Sequence, residues 1–231
     1  MTFYRLMDKI KINEDFDYFL DGGFESGIIN NIYGPAGSGK TLICMLAAIK
    51  MIDSGKRVIY IDTEGGFSVN RFSQLVEDVD TYLKNILFLK PNNFNEQKSS
   101  FEKLKKAINE EIGLIIVDSI SMLYRLELGK GDQVYNANRE LGLQVSFLNE
   151  LARKQNLGVL FTSHIYSDFD NKDKIKMVGG DFLKYSSKCL IELQNLEKNV
   201  RRAIMVRHRS IESDKELFFR IIGKGIEKYS Q

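Results

Sequence analysis

At 231 residues, with a formal net charge of +2, 43% hydrophobic and 28% charged residues, the chain has the make-up of a globular protein with one substantial core. Only 2 prolines and no Pro/Gly/Ser-rich linker, repeat or low-complexity tract appear, so a second domain is not expected, and the near-balanced charge excludes a uniformly basic nucleic-acid binder. No apolar run approaches the ~18 residues of a membrane span, no apolar leader opens the chain, and Cys44 and Cys189 stand apart in apolar contexts, so buried thiols in a reducing, cytoplasmic setting are expected.

In chain order, Ile28 to Tyr33 predicts a first strand running into a glycine loop. A helix from Lys40 to about Asp53 follows, apolar on nearly every face and stopped near Gly55. Lys56 to Asp62 predicts the second strand, Phe67 to Glu77 a helix and Ile86 to Leu89 a short strand. Phe101, Leu104, Ile108 and Ile112 keep helical spacing and predict an amphipathic helix, after which Leu114 to Asp118 forms an apolar strand covered on both faces. Val134 to Gln155 carries Val134, Ala137, Leu141, Val145 and Leu148 on one helical stripe, and Leu157 to Thr162 is a further buried strand. No helix is expected beyond this point. Cys189 to Gln194, Arg202 to Arg209 and Leu217 to Ile222 predict consecutive strands and an antiparallel extension at one edge of the sheet. The alternation of strand and helix makes this an α/β chain.

Residues 34 to 41 read GPAGSGKT, a full GxxxxGK[ST] phosphate-loop pattern set between a strand and a helix. Gly34, Gly37 and Gly39 let the backbone curl, with Pro35, Ala36 and Ser38 between them, so that successive N–H groups face the phosphates. Lys40 is expected to reach the β- and γ-phosphates and Thr41 to offer its hydroxyl to Mg²⁺. Asp118 closes the apolar run Leu114-Ile115-Ile116-Val117, where strand ends meet ligands, and is expected to support the metal. Glu64, in IDTEGG just past a strand, reads from the residues alone either as a carboxylate that activates water or as a solvated loop acid.

Taken together, LDGGFESGIINNIYGPAGSGKT, YIDTEGGF and LIIVDSISMLYR resemble, in order and along almost the whole chain, the RecA-like recombinases, and among them their small archaeal paralogues. The resemblance implies a RecA-type P-loop NTPase core over residues 1–231. Its mostly parallel central sheet would be flanked by helices, with antiparallel strands at the C-terminal edge and ATP at the edge of the sheet. It makes Glu64 the catalytic carboxylate and sets Arg71 against the adenine, a role that suits a planar guanidinium; a helix-surface arginine is the plainer alternative. Full recombinases of the family also carry an N-terminal DNA-binding domain and a Phe-x-x-Ala segment that docks on the next subunit. The chain leaves no room for that domain, and with no alanine before Ala36 that segment is not expected here. Where the family commonly has a Gln sensing the γ-phosphate, this chain has His164, whose imidazole can also donate to phosphate.

The family's DNA-facing loops correspond to the stretches around Arg125, Lys130 and Arg139 and around Lys172, Lys174, Lys176 and Lys184. Aspartates interleave with these lysines, so a solvated loop of mixed charge competes with a backbone-gripping one. Arg207-His208-Arg209 is similar to the basic triplet of clock-type ATPases, in which Arg207 and Arg209 would act in trans on a neighbour's ATP; alternating arginines on an exposed strand also simply blunt an edge. The expected function is an ATP-binding, weakly hydrolysing ATPase that binds DNA, single-stranded in the first instance, and assists the main archaeal recombinase in repair and homologous recombination. A Holliday junction resolvase and a second copy of the chain, as a homodimer, are further partners the resemblance implies. The competing expectation is a nucleotide-gated assembly ATPase of the clock type with no DNA role.

Overall fold

The computed structural model describes residues 8–128, 134–167 and 175–230. The chain enters through β1 (Lys9–Ile10), α1 (Glu14–Phe19) and β2 (Phe24–Glu25), with β1 and β2 paired antiparallel. Asn13 starts α1 by accepting a hydrogen bond from the Phe16 N–H at 3.0 Å, and the acids of the first turn complement the helix dipole. Phe16 is buried edge-on against Phe219, 5.4 Å between ring centres, and so docks this segment on the sheet.

The body of the fold alternates strand and helix: β3 (Ile29–Tyr33), α2 (Lys40–Asp53), β4 (Arg57–Asp62), α3 (Val69–Phe72), α4 (Val79–Lys84), β5 (Ile86–Leu89), α5 (Phe94–Ala107), β6 (Ile112–Asp118), α6 (Met122–Leu128), α7 (Val134–Gln155) and β7 (Gly158–Ser163). A small antiparallel ribbon, β8 (Ile165–Ser167) with β9 (Ile175–Met177), leads into α8 (Gly180–Ser186). The chain ends in β10 (Cys189–Asn195), β11 (Val200–Arg207), β12 (Glu216–Ile222) and β13 (Gly225–Lys228).

These strands form a nine-stranded sheet in the order β13-β12-β11-β10-β3-β7-β6-β4-β5. From β10 to β5 every neighbouring pair is parallel, and β11 to β13 continue the sheet antiparallel. Both faces are covered. On one, Ile43, Cys44, Ala47 and Ala48 of α2 pack with Phe16, Phe19 and Phe219; on the other, Phe101 and Leu104 of α5 and Leu141, Val145 and Leu148 of α7 pack over Ile115, Val117 and Phe161. Parallel strands buried on both sides explain why β6 and β7 read as unbroken apolar runs. The RecA-type architecture expected from the sequence is the one observed.

Several expected elements differ in detail. The helix expected over Phe67 to Glu77 is only the single turn of α3; the Asp62 carboxylate takes the N–H groups of Gly66 and Phe67 and holds the residues before it as a turn. Ile108 and Ile112 do not continue the stripe of Phe101 and Leu104: Ile108 is extended, with ψ 123°, and Ile112 already belongs to β6. A helix, α8, does follow β7; it starts at Gly179, whose left-handed φ of 89° suits glycine. The antiparallel extension begins at β11, since β10 is parallel to β3, and β11 stops at Arg207, short of Arg209.

At the edge of the sheet where the parallel strands begin, buried Glu25 gathers cations. Lys9 Nζ lies 3.1 Å and Arg209 Nη2 2.6 Å from its carboxylate, with His208 Nε2 at 3.9 Å. Burial acts to raise the Glu25 carboxyl, but Lys9, with Arg209 and His208, outweighs it and holds the group below the usual range. Burial lowers His208 against the pull of Glu25, and its Nδ1 accepts from the backbone N–H of both Ser210 and Ile211 at 3.2 Å, which requires that nitrogen to be unprotonated. An unfolded histidine binds a proton near pH 6.5 and the folded one only at lower pH, so this group's stabilisation is present above about 6.5 and lost below it. Glu25 acts in the same direction at lower pH. The unfolding midpoint of wild type is therefore expected to fall more steeply between pH 7 and 5 than that of His208→Gln, and parallel curves in a pH-resolved thermal melt would refute this.

Candidate active site

The loop between β3 and α2 sits at the carboxyl ends of the parallel strands, the edge where sheets of this type take ligands. Its start is fixed by close packing: a Cβ on Gly34 would lie 2.4 Å from the Leu193 carbonyl oxygen at the end of β10. At its far end Gly39 caps α2 with a left-handed φ of 104° and brings the helix N-terminus, with its free N–H groups, to the loop. The Lys40 ammonium is buried and donates to the carbonyls of Gly34 at 2.9 Å and Pro35 at 2.8 Å. Burial lowers its pKa, opposed by the carboxylates of Asp118 and Glu64.

Behind the loop, Asp118 ends β6 and is buried. Its Oδ2 accepts from Thr41 Oγ1 at 2.7 Å and from the Tyr60 hydroxyl at 3.0 Å, and its Oδ1 accepts from Thr162 Oγ1 at 2.5 Å. Burial raises the Asp118 carboxyl above the usual range, with the Thr162 and Thr41 hydroxyls working against it. Asp118, expected as a metal-supporting acid, is in direct contact with Thr41 of the loop. Thr162 and Tyr60 were not anticipated. Both lie on strands flanking β6, and only the sheet order reveals that they meet Asp118.

Glu64 follows β4 in a turn organised by Asp62, whose carboxylate accepts from the N–H groups of Glu64, Gly66 and Phe67 at 3.3, 3.1 and 3.2 Å. The spacing Asp-x-Glu-x-Gly-Phe after a strand is the sequence signal for that turn. His164, one residue beyond β7, brings Nε2 to 2.5 Å from Glu64 Oε1. Burial acts to raise Glu64, and the hydrogen bond from His164, with the charge of Lys40, leaves it below the usual range. An ionised carboxylate only accepts, so Nε2 carries the shared proton. His164 itself is held through its backbone: its N–H donates to Ser121 Oγ at 2.9 Å and its carbonyl accepts from the Val178 N–H at 2.8 Å.

Arg71, on α3, is fixed at the rim. Its guanidinium donates to the carbonyls of Ile222 at 2.6 Å and Gly223 at 2.9 Å and to Gln74 Oε1 at 2.5 Å. A cleft of about 400 Å³ is lined by Ala36, Gly37, Gly39, Lys40, Thr41, Leu42, Met45, Glu64, Gly66, Ser68, Arg71, Asp118, His164 and Ile221. Most of the expected nucleotide and metal residues therefore face one space, joined by the unanticipated Met45 and Ile221.

Other expected residues lie elsewhere. Arg207 and Arg209 are at the opposite end of β11 from the phosphate loop: Arg207 donates to the Lys184 carbonyl at 3.0 Å and lies over the Tyr185 ring, and Arg209 pairs with Glu25. Neither can serve the loop of its own chain. Arg125 on α6 and Arg139 on α7 are exposed, and Lys184 is half-buried on α8. Lys130, Lys172 and Lys174 lie outside the described residues, as does the side chain of Lys176.

The Rad51 family profile matches residues 7–229. A DNA repair and recombination protein RadB of Methanobrevibacter smithii is 40% identical over 225 residues, covering 94% of this chain and 95% of the relative. A protein of the same description from Methanococcus maripaludis is 42% identical over 210 residues, 90% of this chain and 94% of the relative. Among solved structures, the crystal structure of the RadB recombinase is similar with a TM-score of 0.80 at 32% identity, over 94% of this chain and 97% of that one.

The Glu64–His164 contact makes a direct prediction. In His164→Ala the Glu64 carboxyl loses its strongest hydrogen-bond donor, and its pKa is expected to move up, as read by carbon-detected NMR titration of the side-chain carboxyls. An unmoved Glu64 titration would show that the pair does not form in solution.

Proposed function

The chain belongs to the Rad51 family, and on that premise we propose that it is an ATP-binding, slowly hydrolysing accessory protein of DNA repair and homologous recombination. The observation that carries this reading is the convergence of Lys40, Thr41, Asp118 and Glu64 on one cleft at the carboxyl edge of the sheet. The loop amides and the N-terminus of α2 hold the phosphates, and Lys40 leaves its carbonyl partners to contact the β- and γ-phosphates. The Arg71 plane, fixed at the cleft rim, stacks on the adenine.

The Thr41 hydroxyl and Asp118 carboxylate are hard oxygen donors lying 2.7 Å apart, a set that suits magnesium. When bound, magnesium would neutralise charge on the phosphate oxygens. Glu64, ionised at neutral pH, orients a water toward the γ-phosphorus and accepts its proton as the bond to the leaving ADP oxygen breaks. One of its oxygens is engaged by His164, so a water must compete for the carboxylate. That contact favours slow turnover and gives the γ-phosphate a reason to draw His164 away.

DNA, single-stranded in the first instance, is the second ligand. The names of the relatives support it, as do the exposed Arg125 and Arg139. His164 immediately precedes that ribbon and touches Glu64, a route by which nucleotide and DNA would sense one another. The proposed setting is one in which the protein assists the main recombinase, with a Holliday junction resolvase and a second copy of the chain as further partners.

Purified wild type is expected to retain ATP at sub-millimolar levels and Lys40→Ala to lose it. Glu64→Gln should keep binding while hydrolysis falls by about 10²–10⁴-fold. Single-stranded DNA affinity should fall steeply with salt and change when ATP is added. Folded wild type that retains no adenine nucleotide at millimolar concentration would overturn the reading.

A further inference from the structure

The phosphate loop is held from outside as well as from within. In a loop whose amides converge on an anion, the carbonyls must point away from it, and each then needs a donor of its own. Lys40 serves Gly34 and Pro35. The next carbonyls are served by the hairpin joining β10 to β11: Asn195 Nδ2 donates to the Ala36 carbonyl at 3.1 Å and Arg201 Nη2 to the Gly37 carbonyl at 3.3 Å.

The hairpin is built to present these side chains. Its tip is a 3-10 turn over Glu197–Asn199, with left-handed φ values of 55° at Lys198 and 62° at Asn199, closed by the Leu196 N–H donating to the Val200 carbonyl at 2.9 Å. Arg201 Nη1 donates to the Asn199 carbonyl at 2.7 Å and also to the Asn199 side-chain oxygen, which orients the guanidinium toward the loop. Neither Asn195 nor Arg201 lines the cleft.

We propose that Asn195 and Arg201 are positioning residues that keep the phosphate loop in its anion-binding shape by holding the Ala36 and Gly37 carbonyls outward. The inference rests on the nucleotide reading of the cleft. Once Lys40 turns to the phosphates, Gly34 loses its side-chain donor and Pro35 keeps the Ser38 hydroxyl at 2.8 Å, while the hairpin contacts go on bracing Ala36 and Gly37. A loop already shaped pays less ordering entropy when the ligand arrives, so the brace acts on affinity rather than on the chemical step.

The test uses the full chain, with mant-ATP binding, steady-state hydrolysis and unfolding midpoints without nucleotide. Wild type is measured first. If it fails to bind mant-ATP, the nucleotide reading itself falls and the brace with it. With wild type binding, Asn195→Ala, a change that leaves the charge untouched, is expected to weaken mant-ATP by about fivefold, as for one lost hydrogen bond. Arg201→Ala should do at least the same, and Arg201→Lys, which keeps the charge and one donor, should recover part of the loss. KM for ATP should rise in step with kcat within about twofold of wild type, and the nucleotide-free midpoint should not move. Wild-type affinity and KM in Asn195→Ala and Arg201→Lys would overturn the brace alone. So would an affinity loss matched by a fall in the nucleotide-free midpoint, since the hairpin would then be serving the fold.

Discussion

The buried carboxylate of Asp118 ties the site to the sheet. It receives hydroxyls from Thr41 at the start of α2, Tyr60 of β4 and Thr162 of β7, so a helix and two strands on either side of β6 meet at one residue. A carboxyl buried this deeply is tolerable only when its oxygens are satisfied, and withdrawing one partner leaves a desolvated acceptor at a cost of about 1–3 kcal/mol. The contact with Thr41 also sets where the first turn of α2 stands relative to β6. The distance between the phosphate loop and Asp118 is thereby built into the core.

Around that anchor the ends of the sheet have divided their tasks. The carboxyl ends of the parallel strands carry the phosphate loop, Glu64, Asp118 and His164, while the amino ends carry the Glu25 cluster with Lys9, His208 and Arg209. β11 runs antiparallel to β10, so its arginines are split between these ends: Arg201 stands over the loop and Arg207 lies at the other side. A run of basic residues close in sequence thus serves different parts of the molecule. The length of one strand is enough to separate them.

Glu64 and His164 bring together the ends of two strands that are not neighbours in the sheet. A histidine one residue past β7 reaches the same acid that the turn after β4 presents, and its backbone is bonded at once to Ser121 and to Val178 beyond the ribbon. The nucleotide end of the site and the ribbon of β8 and β9 are therefore mechanically contiguous through a single residue.

The GPAGSGKT loop, the α2 helix to its last residue, the apolar strands and the pairing of Asp118 with the loop were all readable in the sequence, because each rests on local pattern: glycine spacing, unbroken apolar runs and a carboxylate at a strand end. Helix α7 was readable for the same reason, through the stripe of Ala137, Leu141, Val145 and Leu148, although Val134, expected on that stripe, is exposed. The tertiary structure alone decided which strands are neighbours, and with that the meeting of Thr162 and Tyr60 with Asp118, of His164 with Glu64 and of Arg201 with Gly37. Those contacts join residues distant in sequence through sheet order and register, which no local periodicity encodes. The misplaced stripe of Ile108 and Ile112 has the same origin. Apolar residues with helical spacing satisfy a helix or a buried strand equally well, and only the packing of β6 beside β4 settled which it would be.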